Sequence, residues 1–70
     1  METFRKFYQI ENTFPDNDSE KSVLSLENWR CQKGDYLLLT ILGSDSETNI
    51  ALNVKEAKGL VSSINQWIKL

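Results

Sequence analysis

The sequence predicts an α+β domain: a four-stranded antiparallel β-meander with one C-terminal α-helix packed on one face, in the order β-β-β-β-α. Three observations support this prediction. The chain ends in a capped amphipathic segment, β-rich segments precede it, and turns at Gly34 and Gly43 separate those segments. Because the links are short, strands that are neighbours in sequence are expected to be neighbours in the sheet.

The length of 70 residues sets the scale of the domain. Leu, Ile, Val and Phe together number 20, which is above the fraction at which chains stay disordered. A domain of this size buries only about 60 % of the surface that its unfolded chain exposes, so its stability margin is thin. We therefore expect a single domain, residues 1–70, to which a partner chain would add stability.

The first segment, residues 4–10, is rich in aromatic side chains. Phe4, Tyr8 and Ile10 fit one face of a strand at the edge of the sheet. Phe4, Phe7 and Tyr8 also fit a helical stripe. The aromatic content favours the strand, because aromatic residues pack well on a pleated surface, but the sequence leaves both alternatives open.

Residues 12–21 form a polar, acid-rich connection that holds the only proline. We expect a loop here, and loops of this composition are often mobile. The acidic residues are spaced somewhat like the ligands of a calcium loop. However, Lys21 stands where such a loop needs glycine, and no helices are expected on either side, so we interpret the run as solvated.

Three β-rich segments follow the acidic connection, at residues 23–32, 36–42 and 48–52. The Lys33–Gly34 pair is a typical hairpin turn and joins the first two segments. Residues 43–47 are turn-forming and join the last two. These segments predict two consecutive hairpins.

The last segment predicts a helix over residues 54–69. Asn53 is a favoured N-cap, and Glu56 falls three residues later, as a capping box requires. The apolar residues behind this cap recur at helical spacing and form one stripe: Val54, Ala57, Leu60, Val61, Ile64, Trp67 and Ile68. We expect the stripe to cover the sheet residues that share one face: Leu37, Leu39, Ile41, Ile50 and Leu52.

The segment at residues 36–42 is apolar on both faces. Side chains alternate along a strand, so Tyr36, Leu38 and Leu42 point away from the face that the helix is expected to cover. One helix covers one face of a sheet, and the second face of this strand therefore needs another cover.

We expect the second face to bind protein, with Tyr36, Leu38, Leu42 and Trp29 as the interaction residues. Each leucine side chain that stays exposed to water loses roughly 1.5–3 kcal/mol of burial free energy. A twofold contact between two copies is the simplest way to bury these side chains. Two other covers stay open: a different protein, and Phe14 with its acidic loop folded back over the face.

The amino-acid composition argues against catalysis and against metal binding. The chain has no histidine, which removes the commonest general base and metal ligand. Its single cysteine, Cys31, has no histidine to activate it, and no phosphate-binding or zinc-binding spacing occurs. The sequence therefore predicts no enzyme and no catalytic, cofactor-binding or metal-binding residues.

A single-stranded nucleic-acid-binding module is the alternative function. Small sheets with a helix on one side often present aromatic and basic residues to single strands, and Arg5, Lys6, Tyr8, Arg30 and Lys33 could form such a surface. The net charge of −2 and the acid-rich connection disfavour it, because phosphate binding usually leaves a basic footprint.

The start of the chain has no signal-like apolar run, and no segment is long and apolar enough to span a bilayer. A lone cysteine cannot form an internal disulfide, so the cytoplasm is the expected compartment. Together these observations predict a small, non-enzymatic accessory protein of the bacterial or phage type. We expect it to regulate or inhibit another protein and to form a homodimer.

Overall fold

The computed structural model describes residues 2–14 and 17–70 and contains four strands followed by one helix. The elements are β1 (Thr3–Phe14), β2 (Asn17–Cys31), β3 (Gly34–Leu42), β4 (Glu47–Leu52) and α1 (Val54–Ile68). The strands form one antiparallel sheet in the order β1-β2-β3-β4. The predicted α+β β-meander with a C-terminal helix is thus confirmed.

The first hairpin is longer than the sequence indicates. Residues 4–10 belong to β1, which settles the open choice in favour of a strand. Residues 12–14 extend β1 and residues 17–21 extend β2, so the prediction of a loop over residues 12–21 is wrong for these positions. The hydrogen bonds between paired strands join backbone groups, so an exposed strand can form from residues with polar side chains. The amino-acid composition alone does not reveal such a strand. Residues 15 and 16 lie outside the described residues.

A β-bulge at Phe7 divides the side chains of β1 between the two faces. Phe4 lies opposite Trp29, but the register shifts between Lys6 and Tyr8, so Tyr8 lies opposite Leu26. The extra residue reverses the alternation of side chains. The expectation that Phe4, Tyr8 and Ile10 share a face is therefore wrong, because Phe4 lies on the face opposite to the other two.

The second hairpin turns at Gly34, whose φ of 126° is a backbone conformation that side chains with a Cβ rarely adopt. The tight turn sets the register in which Trp29 lies opposite Tyr36 and Leu26 lies opposite Leu39. The prediction that the side chains of β3 alternate between two apolar faces, with Leu37, Leu39 and Ile41 on one and Tyr36, Leu38 and Leu42 on the other, is confirmed by the pairing of β3 with β2 and β4.

A single residue, Asn53, separates the end of β4 from the start of α1, and a complete capping box stabilises that start. The Asn53 backbone N–H donates to Glu56 Oε1 at 2.9 Å, and the Glu56 backbone N–H donates to Asn53 Oδ1 at 2.8 Å. Among the strands, the helix contacts only β3 and β4. Ile41 and Ile50 remain 45 % and 52 % exposed, so the prediction that the helix stripe covers them is wrong.

The domain has little interior. Within the described residues, no hydrophobic side chain is buried, and the two buried polar residues are Ser25 and Thr40. The Cα radius of gyration is 14.1 Å, against about 11 Å for a compact chain of this length. The sheet is a single layer, and α1 contacts its β3 and β4 strands in the described residues.

Candidate functional site

The strand register divides the sheet into two sides of different composition. One side, here called the aromatic side, carries Phe4, Trp29, Tyr36, Leu38 and Leu42. The opposite side, here called the helix side, faces α1 and carries Leu26, Leu37, Leu39, Ile50 and Leu52 among others.

Three aromatic rings form a row across β1, β2 and β3 on the aromatic side. The rings of Phe4 and Trp29 are stacked, with centroids 6.0 Å apart and planes at 4°. Tyr36 continues the row, with its centroid 5.7 Å from that of Trp29 and its plane tilted by 41°. Aromatic pairs in such arrangements contribute about 0.5–1.5 kcal/mol beyond the area that they bury, so the row is a rigid feature of the surface.

The indole nitrogen of Trp29 is shielded but unbonded. Among the described residues, its Nε1–H is the buried side-chain group that finds no hydrogen-bond partner. A shielded donor without an acceptor costs about 1–3 kcal/mol. Trp29 is therefore not optimised for the stability of the isolated sheet.

A polar row crosses the middle of the aromatic side and divides its apolar residues. Gln9, Ser25, Thr40 and Asn49 lie opposite one another on the four strands. The Thr40 hydroxyl donates to Asn49 Oδ1 at 2.7 Å, and Lys6 Nζ donates to Gln9 Oε1 at 3.0 Å. Because these polar groups are largely partnered, this part of the sheet does not need an apolar cover.

The predicted interaction residues all lie on the aromatic side, but they do not form one patch. Trp29 and Tyr36 are directly paired, and Leu38 occupies the next position on the same face of β3. All three are half-exposed. Leu42 lies beyond the polar row, which separates it from the others at Thr40. The site is thus Phe4, Trp29, Tyr36 and Leu38, with Leu42 outside it.

Phe4 is the residue that sequence reasoning missed. The alternation pattern placed it with Tyr8, whereas the bulge brings it against Trp29. The two adjacent aromatic residues at positions 7 and 8 are the available signal, since a bulge places two consecutive side chains opposite one residue of the neighbouring strand.

The helix side carries two apolar rows. One crosses all four strands and consists of Tyr8, Leu26, Leu39 and Ile50. The other crosses β1, β2 and β3 and consists of Ile10, Leu24 and Ile41. None of these side chains is buried. This side lacks a central polar row, so its exposed apolar surface is more continuous than that of the aromatic side.

An open cleft of about 380 Å³ separates the first half of α1 from the helix side. Its walls are mainly apolar and include Leu37, Leu52, Val54, Ala57 and Val61. The helix therefore does not seat against the sheet that it follows, and both surfaces remain available for contact.

The basic residues of the alternative function are not brought together. Lys6 lies on the aromatic side, Arg5, Tyr8 and Arg30 lie on the helix side, and Lys33 lies in the β2–β3 turn. Arg30 is also paired, with Nε 2.9 Å from Asp35 Oδ1. The structure thus shows no single basic surface formed by these five residues.

The Arg30–Asp35 pair has the one pronounced electrostatic effect in the described part of the chain. The hydrogen bond from Arg30 holds the pKa of the Asp35 carboxyl below its ordinary value, and the same bond raises the pKa of Arg30. Both side chains are well exposed, so the pair contributes little to stability.

Over residues 2–14 and 17–70, no cluster of side chains is suited to hold a metal ion, and no helix is long and apolar enough to cross a membrane. Cys31 is a free, half-buried thiol at the end of β2. Phe14 was a candidate cover for the aromatic side, but its side chain lies outside what the structure describes.

Comparison with protein-family models, curated proteins and solved structures finds no match.

Proposed function

We propose that this chain is a small regulatory or inhibitory protein that acts without catalysis, by binding another protein through the aromatic side of its sheet. One observation carries the proposal: Phe4 stacks on Trp29, Tyr36 continues the row at a tilt, and Leu38 lies beside it, with Phe4 exposed and the other three half-exposed. Aromatic residues are enriched at the centres of protein interfaces, where a few rigid side chains supply most of the binding free energy.

The charges around this row indicate the chemistry of the partner. In the described part of the sheet, the aromatic side carries three acids, Glu11, Glu27 and Glu47, and two bases. Of the bases, Lys6 bonds to Gln9, and Lys21 lies opposite Thr13, away from the aromatic row. We therefore expect the partner to present an apolar segment flanked by basic residues. Opposite charges at the rim of an interface raise the association rate and fix the orientation of the partner.

The same charges support a protein rather than a nucleic acid as the ligand. Stacking on aromatic rings needs a neighbouring basic groove to hold the phosphates, and the aromatic side has an excess of carboxylates. The free thiol of Cys31 supports the cytoplasm, a reducing compartment, as the place where the chain works.

A comparison of two lysine variants tests the proposal. Leu38→Lys places a charge beside the aromatic row, whereas Ser44→Lys adds the same charge in the β3–β4 loop, away from the row. Both variants and the unmodified chain are immobilised and exposed to cell extract, after folding is checked by circular dichroism. We expect one defined protein to bind the unmodified chain and Ser44→Lys but not Leu38→Lys.

The captured protein is then purified and titrated against the same three chains. A weakening of binding by at least ~10-fold for Leu38→Lys, with Ser44→Lys unchanged, would support the proposal, since a desolvated charge costs more than one factor of ten in affinity. Equal affinity for both variants would refute it. Salt-dependent binding of a labelled single-stranded oligonucleotide, lost in Leu38→Lys, would assign the aromatic row to nucleic acid instead.

A further inference from the structure

The chain exposes more surface than a compact protein of its mass. Its accessible surface is 6021 Å², whereas a folded monomer of 8.1 kDa exposes about 4,500 Å². The surplus is about 1,500 Å² per chain. The dimensions of 42 × 32 × 17 Å agree with this excess, because a flat shape exposes more surface than a compact one of the same mass.

The apolar part of this surplus is concentrated on α1 and on the helix side of the sheet. Along the helix stripe, Ile64 is 46 % exposed and Trp67 is 71 % exposed. On the sheet, Tyr8 and Ile10 lie on the edge strand β1, which does not contact α1 in the described residues, and both are exposed. The helix stripe of α1 and the β1 part of the helix side are therefore both exposed in the single chain.

The junction at Asn53 explains why α1 does not cover the whole helix side itself. One residue links β4 to the helix, and both bonds of the capping box are formed there. Because the cap fixes the direction in which the chain leaves β4, α1 reaches only β3 and β4. With a link of one residue, moving the helix across to β1 and β2 would break both bonds of the cap.

We propose that two copies of this chain form a twofold dimer in which the apolar stripe of each α1 packs on the β1–β2 part of the partner's helix side. The surplus area is large enough for such a contact. A dimer that removed the surplus of about 1,500 Å² from each chain would bury about 3,000 Å² in total, within the range of obligate homodimers. A twofold axis lets each chain supply one helix and receive one helix.

This dimer differs from the twofold contact that the sequence predicts through Tyr36, Leu38 and Leu42. It uses the other side of the sheet and leaves the aromatic row free for a different protein. The two proposals are therefore independent, and either can fail without the other.

Sedimentation equilibrium on the intact chain and two variants tests the dimer. Ile64→Glu places a charge in the helix stripe, and Gln66→Glu makes the same change of charge on the opposite face of α1. We expect the unmodified chain and Gln66→Glu to sediment with twice the 8.1 kDa chain mass. For Ile64→Glu we expect a dissociation constant raised by at least ~100-fold, because the charge would be buried without a partner.

Trp67→Ala, with Gln66→Ala as its control, keeps the test decisive if Ile64→Glu does not fold. Trp67 is 71 % exposed in the single chain, so its truncation removes few contacts there and reports mainly on contacts made by a second copy. We expect Trp67→Ala alone to weaken the dimer. A monomer at high micromolar concentration would overturn the proposal, and so would a dimer that Ile64→Glu or Trp67→Ala leaves unchanged.

Discussion

The two sides of the sheet solve the problem of exposed surface in different ways. The aromatic side interrupts its apolar residues with the row of Gln9, Ser25, Thr40 and Asn49, whose hydrogen bonds make the surface compatible with water. The helix side has no such interruption between its two apolar rows. One side therefore suits a reversible contact, and the other needs a permanent cover.

The difference shows that binary patterning has consequences beyond the single chain. A half-polar face is typical of a sheet that meets solvent, whereas a continuous apolar face is typical of one that is covered. The helix stripe is the complementary surface, but the short link at Asn53 keeps it from its own sheet. The chain thus has two complementary apolar surfaces, the helix stripe and the helix side of the sheet, that do not pack closely against each other within one copy.

Leucine-to-alanine substitutions on the two sides give the largest expected contrast. We expect Leu26→Ala, on the helix side of β2, to lower the free energy of unfolding by about 2–4 kcal/mol, because the dimer buries this residue in an apolar layer. Leu42→Ala, on the aromatic side, should cost less than about 1 kcal/mol, since Leu42 is 38 % exposed there.

Urea unfolding at one fixed chain concentration measures both substitutions. Equal losses at the two positions would show that the sides do not differ in burial, and the contrast drawn here would fail.

Removal of the helix cap gives an intermediate effect. Asn53→Ala loses the bond to the Glu56 backbone N–H, and we expect a loss of about 1 kcal/mol in the free energy of unfolding. Ser62→Ala, on the polar face of α1, is the control and should cause little change. Thermal melts followed by circular dichroism check the pair, and an equal stability of both variants would contradict the role of the cap.

The Arg30–Asp35 pair gives the smallest expected effect. The pKa of Asp35 is lowered in the folded chain. The ionised Asp35 carboxylate therefore contributes to the free energy of unfolding above the ordinary carboxyl pKa, and this contribution is lost as the pH falls through the lowered pKa. Both groups are exposed, and Asp35→Asn should leave stability near neutral pH almost unchanged. Urea midpoints from pH 7 to pH 3 measure this, and a large neutral-pH loss would contradict it.

The order of elements was predictable because local signals specify them. The Asn53–Glu56 capping box marks the start of α1, and Gly34 marks a turn that requires positive φ. The alternation along residues 36–42 correctly divided Leu37, Leu39 and Ile41 from Tyr36, Leu38 and Leu42.

The features that were not predictable depend on register and on direction in space. The bulge at Phe7 reassigns Phe4 to the aromatic side, and the adjacent aromatic residues at positions 7 and 8 are its one sequence signal, which does not fix the register. Because of the direction that the chain takes from β4 into α1, Ile41 and Ile50 remain exposed, although the helix stripe was expected to cover them. The extent of the first hairpin follows from backbone pairing, to which the polar residues 17–21 gave no clue.

The most direct test of the account is an isotope-filtered nuclear Overhauser experiment on a mixture of carbon-13-labelled and unlabelled chains. It detects only contacts between different copies. We predict cross-peaks between methyl groups of Ile64 or Ile68 on one chain and those of Ile10 or Leu24 on the other. If these helix-to-sheet contacts are found only within single chains, or not at all, the dimer inferred here does not exist.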